Sequence, residues 1–128
     1  MPVRVNPEIE VSPAQAKAAL AAGKALVIDV RTPPEWDLVH IPGTTLIPLN
    51  VIGERTDEVE PTPGQTVLLL CHHGRRSLDA MNVLRATGRP ELASAKSIAG
   101  GIEGWSLEAD AGIPRYERGP GTLRLRPA

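Results

Sequence analysis

The sequence of 128 residues contains no phenylalanine, two tryptophans and one tyrosine, so aromatic side chains can contribute little to a hydrophobic core. A core in this chain must therefore consist mainly of Val, Ile, Leu and Ala. Apolar residues as a class make up 41% of the sequence, which is ordinary for a soluble globular protein. The length predicts a single domain that buries enough surface to support its own core.

Cys71 is the only cysteine, which excludes an internal disulfide and any metal site with several cysteine ligands. Fourteen Lys and Arg against fifteen Asp and Glu leave a net charge of -1, too small to drive binding to nucleic acid or an anionic membrane. No apolar run approaches the ~20 residues that span a bilayer, and residues 1–11 lack the apolar stretch of a signal peptide. We therefore expect a cytoplasmic protein with no nucleic-acid or membrane partner.

Strand-like and helix-like segments alternate along the chain, which predicts an α/β fold with a mostly parallel sheet. Ser12 suits a helix N-cap, Pro13 suits the first helical position, and Gln15 completes a capping box. The predicted strands cover residues 8–11, 25–30, 66–70 and 95–99, with a short strand within 40–50. The predicted helices cover residues 12–23, a short segment after Pro33, part of 51–64, residues 77–87 and residues 102–109.

The single cysteine directly follows the predicted strand 66–70 and begins the segment CHHGRRS. Ligands of open α/β sheets bind at the carboxyl ends of the strands. A short segment between strand and helix must curl, which turns backbone N–H groups inward, and the next helix adds the positive end of its dipole. Both effects stabilise a thiolate. We therefore predict that Cys71 is a functional thiolate and that the rest of the segment binds substrate: His72, His73, Gly74, Arg75, Arg76 and Ser77.

Other interpretations of this segment remain open. A cysteine at the end of an apolar strand is often a core residue, although Gly74 and two arginines favour function here. His72 and His73 could relay protons, or they could be solvated loop residues. Adjacent histidines do not readily face one ion, so we predict no metal site.

Three segments resemble the rhodanese family of sulfurtransferases: LVIDVRTPPEWDLVHIPGTTLIPL, VLLLCHHGRRSLDA and IAGGIEGW. The resemblance covers about residues 8–114 and implies a rhodanese-like three-layer sandwich, with a small, mostly parallel central sheet flanked by helices. It places the family's nucleophilic cysteine at Cys71 and its six-residue loop at 71–76. The N-terminal signature falls on Asp29, Arg31, Glu35 and His40, which we interpret as buried polar groups that tie loops together. We expect residues 115–128, rich in Arg, Gly and Pro, to form an irregular tail.

The resemblance implies sulfur transfer through a Cys71 persulfide, from a donor such as thiosulfate to cyanide or a thiol. Arg75 and Arg76 would hold the sulfonate of the donor, a protein could serve as sulfur acceptor, and no cofactor is required. One alternative is a phosphatase or arsenate reductase of related fold. Those enzymes have five residues between the cysteine and the arginine of the loop, whereas this chain has four. The other alternative is a sulfur-carrier or interaction module without turnover.

Overall fold

A computed structural model describes residues 3–127 of the chain, which form five parallel strands in one sheet and an additional two-stranded hairpin. The strand order of the large sheet is β1-β5-β4-β2-β3, and every neighbouring pair is parallel. This architecture confirms the predicted α/β fold. The strands are β1 (Glu10–Val11), β2 (Ala25–Asp29), β3 (Thr45–Leu46), β4 (Thr66–Leu70) and β5 (Lys96–Ile98).

Strand β4 lies at the centre of the sheet, between β2 and β5, and its two faces pack into separate apolar layers. Val67 and Leu69 belong to one core cluster, whereas Leu68 and Leu70 belong to the other. A strand covered on both faces needs apolar side chains at successive positions, which explains the uninterrupted run TVLLL. Helices on the two faces therefore complete a three-layer sandwich.

Within residues 3–127, five α-helices flank the sheet. Helices α3 and α4 contact each other, as do α1 and α5, and residues of the two pairs fall in different core clusters. None of the helices in residues 3–127 is both long and apolar enough to cross a membrane. The helices are α1 (Pro13–Ala21), α2 (Pro33–Leu38), α3 (Leu49–Ile52), α4 (Arg76–Arg85) and α5 (Gly101–Glu108).

Helices α1 and α2 begin with the same local device. Ser12 accepts the backbone N–H of Gln15, whose side chain accepts the backbone N–H of Ser12, as predicted. Thr32 and Glu35 form the equivalent capping box at α2. Since each box satisfies two N–H groups that lack helical partners, both helix starts are fixed by adjacent sequence.

The C-terminal segment corrects one expectation. Instead of an irregular tail, strands β6 (Tyr116–Gly119) and β7 (Thr122–Leu125) form an antiparallel hairpin. The turn contains Gly121 at a φ of 68°, a conformation that glycine adopts without strain. Each strand has only four residues, too few for an apolar alternation to be recognised, and contacts with the main domain decide the conformation.

Candidate active site

Cys71 lies immediately after β4 and is only 1% exposed. The backbone N–H of Gly74 donates a hydrogen bond to its Sγ atom at 3.0 Å, and the Ser77 hydroxyl lies 3.3 Å from the same sulfur. Ser77 in turn shares a 2.6 Å hydrogen bond with the hydroxyl of Ser97 on β5. The sulfur thus faces polar groups from the curled loop and from the start of α4, as the sequence predicts.

The loop can curl this tightly because Gly74 has a φ of 95°, which residues with a side chain rarely adopt. A Cβ at Gly74 would also lie 2.9 Å from the backbone nitrogen of Gly100. Gly74 thus supplies the tight bend that the predicted curl of the segment requires. The absence of a side chain matters here both for the conformation and for the packing against the turn that follows β5.

The first turn of α5 is hydrogen-bonded to the backbone of the cysteine loop. The backbone N–H groups of Ile102 and Glu103 donate to the carbonyl oxygens of Cys71 and His72, at 2.8 and 3.1 Å. A Cβ at Gly101 would clash with both carbonyl groups. The absence of a side chain at Gly101 therefore allows α5 to contact the loop backbone directly.

Arg76 at the start of α4 forms a two-pronged ion pair with Glu35 on α2. Its Nη1 and Nη2 atoms donate to the two carboxylate oxygens at 2.7 and 2.9 Å. Burial alone would raise the pKa of Glu35, which is 1% exposed, but hydrogen bonds from Arg76 and Tyr116 hold that pKa well below its usual range. The hydrogen bonds to Glu35 likewise raise the pKa of Arg76. Both groups are therefore charged, and each largely neutralises the other.

Tyr116 extends this network from the C-terminal hairpin. Its hydroxyl donates to Glu35 at 2.5 Å and accepts from Arg31 at 3.3 Å. Burial, together with the adjacent Glu35 carboxylate, raises the pKa of Tyr116, so the phenol stays protonated and donates. Arg31 also pairs with Asp29 at 2.7 Å. Asp29, Arg31 and Glu35 are thus buried linking groups, as predicted.

His72 lies between two rings. Its imidazole stacks on Tyr116 with centroids 4.1 Å apart and on His73 at 3.8 Å. Burial and the neighbouring His73 lower the pKa of His72 to about 4. Its Nε2 atom has no hydrogen-bond partner within residues 3–127. His72 is therefore a buried, neutral ring of the loop that packs against Tyr116, while His73 is exposed.

A cavity of about 400 Å³ opens at the loop and reaches Cys71. Arg75 is exposed and lines it, unlike Gly74 and Ser77, which contact the sulfur from the protein side. Residues of the predicted segment thus either contact the sulfur or line the cavity that reaches it. The lining residues are Cys71, His72, His73, Arg75, Arg76, Asp79 and Arg118.

Several residues of this site were not recognised in the sequence. Tyr116 and Arg118 belong to the segment expected to be irregular, and Ser97 lies on a strand with no motif of its own. The lone tyrosine in a polar tail was the one available signal. His40 also differs from expectation: it is exposed and stacks on Trp36, with its Nδ1 atom 2.9 Å from the Trp36 carbonyl.

Known proteins are similar to this chain over most of its length. A family model described as Rhodanese-like domain matches residues 12–108. The probable adenylyltransferase/sulfurtransferase MoeZ of Mycobacterium tuberculosis is 32% identical over 107 residues, which cover 83% of this chain but only 26% of MoeZ. The chain thus spans about a quarter of MoeZ. The thiosulfate sulfurtransferase GlpE of Tolumonas auensis is 30% identical over 95 residues, covering 74% of this chain and 85% of GlpE.

A solved structure extends the similarity to three dimensions. A rhodanese-related protein from Thermoplasma volcanium superposes with a TM-score of 0.67 at 25% sequence identity. The match covers 79% of this chain and 93% of that protein. The shared part is therefore nearly the whole of the smaller protein.

Proposed function

The chain belongs to the rhodanese-like domain family, and from that membership we propose that it is a sulfurtransferase acting through a persulfide on Cys71. One observation carries the proposal: the Cys71 sulfur accepts a backbone N–H at 3.0 Å and also borders an open cavity. A nucleophile held by fixed donors and reachable by a small substrate suits covalent transfer. Thiosulfate is the proposed donor, and cyanide or a thiol is the proposed acceptor.

In the first step, the Cys71 thiolate attacks the outer sulfur of thiosulfate. A new S–S bond forms, the S–S bond of thiosulfate breaks, and its electron pair leaves with sulfite. In the second step, cyanide attacks the outer sulfur of the persulfide. The Cys71–sulfur bond breaks, its electron pair returns to the thiolate, and thiocyanate leaves. A thiol acceptor, small or on a protein, would take the sulfur as its own persulfide in the same way.

Fixed donors would assist both steps. The Gly74 amide and the Ser77 hydroxyl contact the sulfur, so both can stabilise the thiolate that leaves in the second step. Arg76 has a different place in this proposal from the one expected from the sequence. Two of its nitrogens face Glu35, so we assign it to positioning the loop rather than to holding the sulfonate.

The proposed compartment and partners follow from the thiol chemistry. A reactive cysteine with no second cysteine for protection suits a reducing, cytoplasmic compartment. The proposed partners are small sulfur donors and acceptors, with a protein thiol as a further acceptor.

The test is mass spectrometry of the purified protein after incubation with thiosulfate. The wild type should gain the mass of one sulfur atom at Cys71, release sulfite, and form thiocyanate when cyanide is added. Cys71→Ser should do none of these while keeping the wild-type circular dichroism. A folded Cys71→Ser protein that still produces thiocyanate would exclude the mechanism. Aryl phosphate hydrolysis faster than sulfur transfer would instead favour the phosphatase alternative.

A further inference from the structure

Arg118 on the C-terminal hairpin lines the cavity that reaches Cys71. The family match ends at residue 108, so this arginine lies outside the shared domain. The hairpin therefore adds a cation to a cavity whose other lining residues all lie within that match. The question is whether this cation is available to a ligand.

The charges around the cavity indicate that it is. Glu35 accepts hydrogen bonds from the two Nη atoms of Arg76 and from the Tyr116 hydroxyl. Arg118 lies at the edge of this network: its Nε atom forms a longer ion pair with the Glu35 carboxylate at 3.5 Å, and its side chain is 46% exposed. Its guanidinium donates no hydrogen bond within residues 3–127. Its two Nη groups therefore remain available on the cavity side.

The hairpin also fixes the direction of Arg118. Alternate residues of a strand share a face, so Arg118 lies on the same face as Tyr116. Tyr116 is 1% exposed and is held by its stack on His72 and its hydrogen bond to Glu35. In the β6–β7 pairing, Arg118 is opposite Leu123, whereas Arg124 is opposite Glu117. Arg118 and Arg124 therefore lie on opposite faces of the hairpin.

We propose that Arg118 is a donor-binding residue that selects small anionic sulfur donors, such as those bearing a sulfonate, over neutral ones. This inference rests on the proposed function of the same site. Arg75 lines the cavity as a second cation, and Asp79 lines it as an acidic group that reduces the positive potential. With few surplus charges present, loss of one arginine has a measurable effect. A guanidinium suits this task because it can donate two parallel hydrogen bonds to an oxyanion.

The test uses two alkylating reagents of similar size, the anion iodoacetate and the neutral iodoacetamide. With either reagent, the Cys71 thiolate forms a carbon–sulfur bond and iodide leaves with the electron pair of the carbon–iodine bond. The rate constant for iodoacetate divided by that for iodoacetamide measures how strongly the cavity favours an anion. This measurement does not require sulfur transfer. Arg118→Gln should lower this ratio by about three- to tenfold, while the iodoacetamide rate stays within about twofold.

Matched variants separate local binding from general charge. Arg124→Gln removes the same charge from the other face of the hairpin, where Arg124 is 71% exposed and lies 3.6 Å from Glu117. It should leave the ratio unchanged. Arg118→Lys should retain most of the preference for iodoacetate. Salt at about 0.5 M should reduce the difference in rate ratio between the wild type and Arg118→Gln, because it screens exposed charges strongly. With thiosulfate, Arg118→Gln should raise KM about three- to tenfold and change kcat little.

The outcomes distinguish this inference from the proposed function. An unchanged reagent ratio in folded Arg118→Gln, or an equal fall in Arg124→Gln, would overturn the role of Arg118 even if sulfur transfer is observed. A lowered ratio in a protein that never forms a persulfide would retain the anion site and reject sulfur transfer. Thermal unfolding of each variant identifies any that fail to fold. For these, Arg118→Lys provides the comparison.

Discussion

Glu35 and Arg76 lie 41 residues apart in the chain, and their side chains meet in a parallel pair of hydrogen bonds of 2.7 and 2.9 Å. This contact joins the first turn of α2 to the first turn of α4, directly beside the cysteine loop. Because Glu35 is 1% exposed, the carboxylate depends on its partners for the polar contacts that water would otherwise provide. The pair therefore links the end of the cysteine loop, where α4 begins, to helix α2.

Arg76→Met should destabilise the protein by about 2–4 kcal/mol, because it leaves a buried carboxylate with only part of its contacts. Glu35→Gln in the same protein should recover part of this loss, so the double variant should lose at least about 1 kcal/mol less than the sum of the singles. Urea unfolding followed by tryptophan fluorescence measures both. Arg55→Met, which breaks an exposed pair with Glu58, is the control and should have a much smaller effect. Additive losses would contradict a direct Glu35–Arg76 coupling.

His72→Phe should remove part of the pH dependence of stability. The pKa of His72 is about 4 in the folded protein against 6.5 for the free group, so the unfolded chain binds the proton first. The contribution of neutral His72 to the free energy of unfolding is present above pH 6.5 and is lost as the pH falls towards 4.

Between pH 7 and 5, the wild type should therefore lose about 1–2 kcal/mol that His72→Phe retains. Chemical denaturation at several pH values checks this difference. His40→Gln, at an exposed histidine, should follow the wild-type profile. The further loss below pH 4.5 caused by Glu35, whose pKa is lowered, should persist in all three proteins. Parallel profiles for wild type and His72→Phe would show that His72 is not buried in its neutral form.

Gly74→Ala should be more damaging than Gly64→Ala, although both residues have positive φ angles, 95° and 87°. A Cβ at Gly64 meets nothing within 4 Å, so only the conformational strain of about 1 kcal/mol remains. At Gly74, contact with the Gly100 backbone should bring the total to about 2–5 kcal/mol. Thermal unfolding measures stability, and sulfur transfer should also fall for Gly74→Ala. Equal losses in the two variants would mean that the loop has room to relax.

Tyr116→Phe should preserve the stack on His72 but remove the hydroxyl that donates to Glu35. Because the acceptor is a buried carboxylate, the expected loss of stability is about 1.5–3 kcal/mol. Tyr116→Ala also removes the ring and should lose about 3–5 kcal/mol in total. Calorimetry of the two variants separates the hydroxyl from the ring. If Tyr116→Phe matches the wild type, the hydroxyl does not support Glu35.

The sheet could be predicted from the sequence because its signals are local. The run TVLLL is apolar at every position, as a strand buried on both faces must be, and Ser12 with Gln15 specifies a helix start within four residues. The curl of the cysteine loop could also be predicted, because a short connection between strand and helix requires a tight bend. In each case, the residues that determine the structure are neighbours in the chain.

The composition of the site wall could not be predicted in the same way. Tyr116 contacts Glu35 across 81 residues, and nothing in either segment alone indicates the other. Arg76 was interpreted as a ligand for the donor, because a positive charge in a loop gives no sign of which acidic residue lies opposite it. The hairpin packs against the main domain through the stack between Tyr116 and His72, and this stack exists only in the folded chain.

The wide spacing of these contacts also has a kinetic consequence. Parallel pairing joins Glu10 to Ser97, and Glu35 finds its partners 41 and 81 residues later. Chains dominated by such distant contacts fold slowly, since long loops must close before any contact is gained. No single helix or hairpin can assemble the surroundings of Cys71 in advance. During refolding, the Cys71 thiol should therefore become buried, and reach its native alkylation rate, in the final cooperative folding step. Neither change should accompany the early formation of secondary structure.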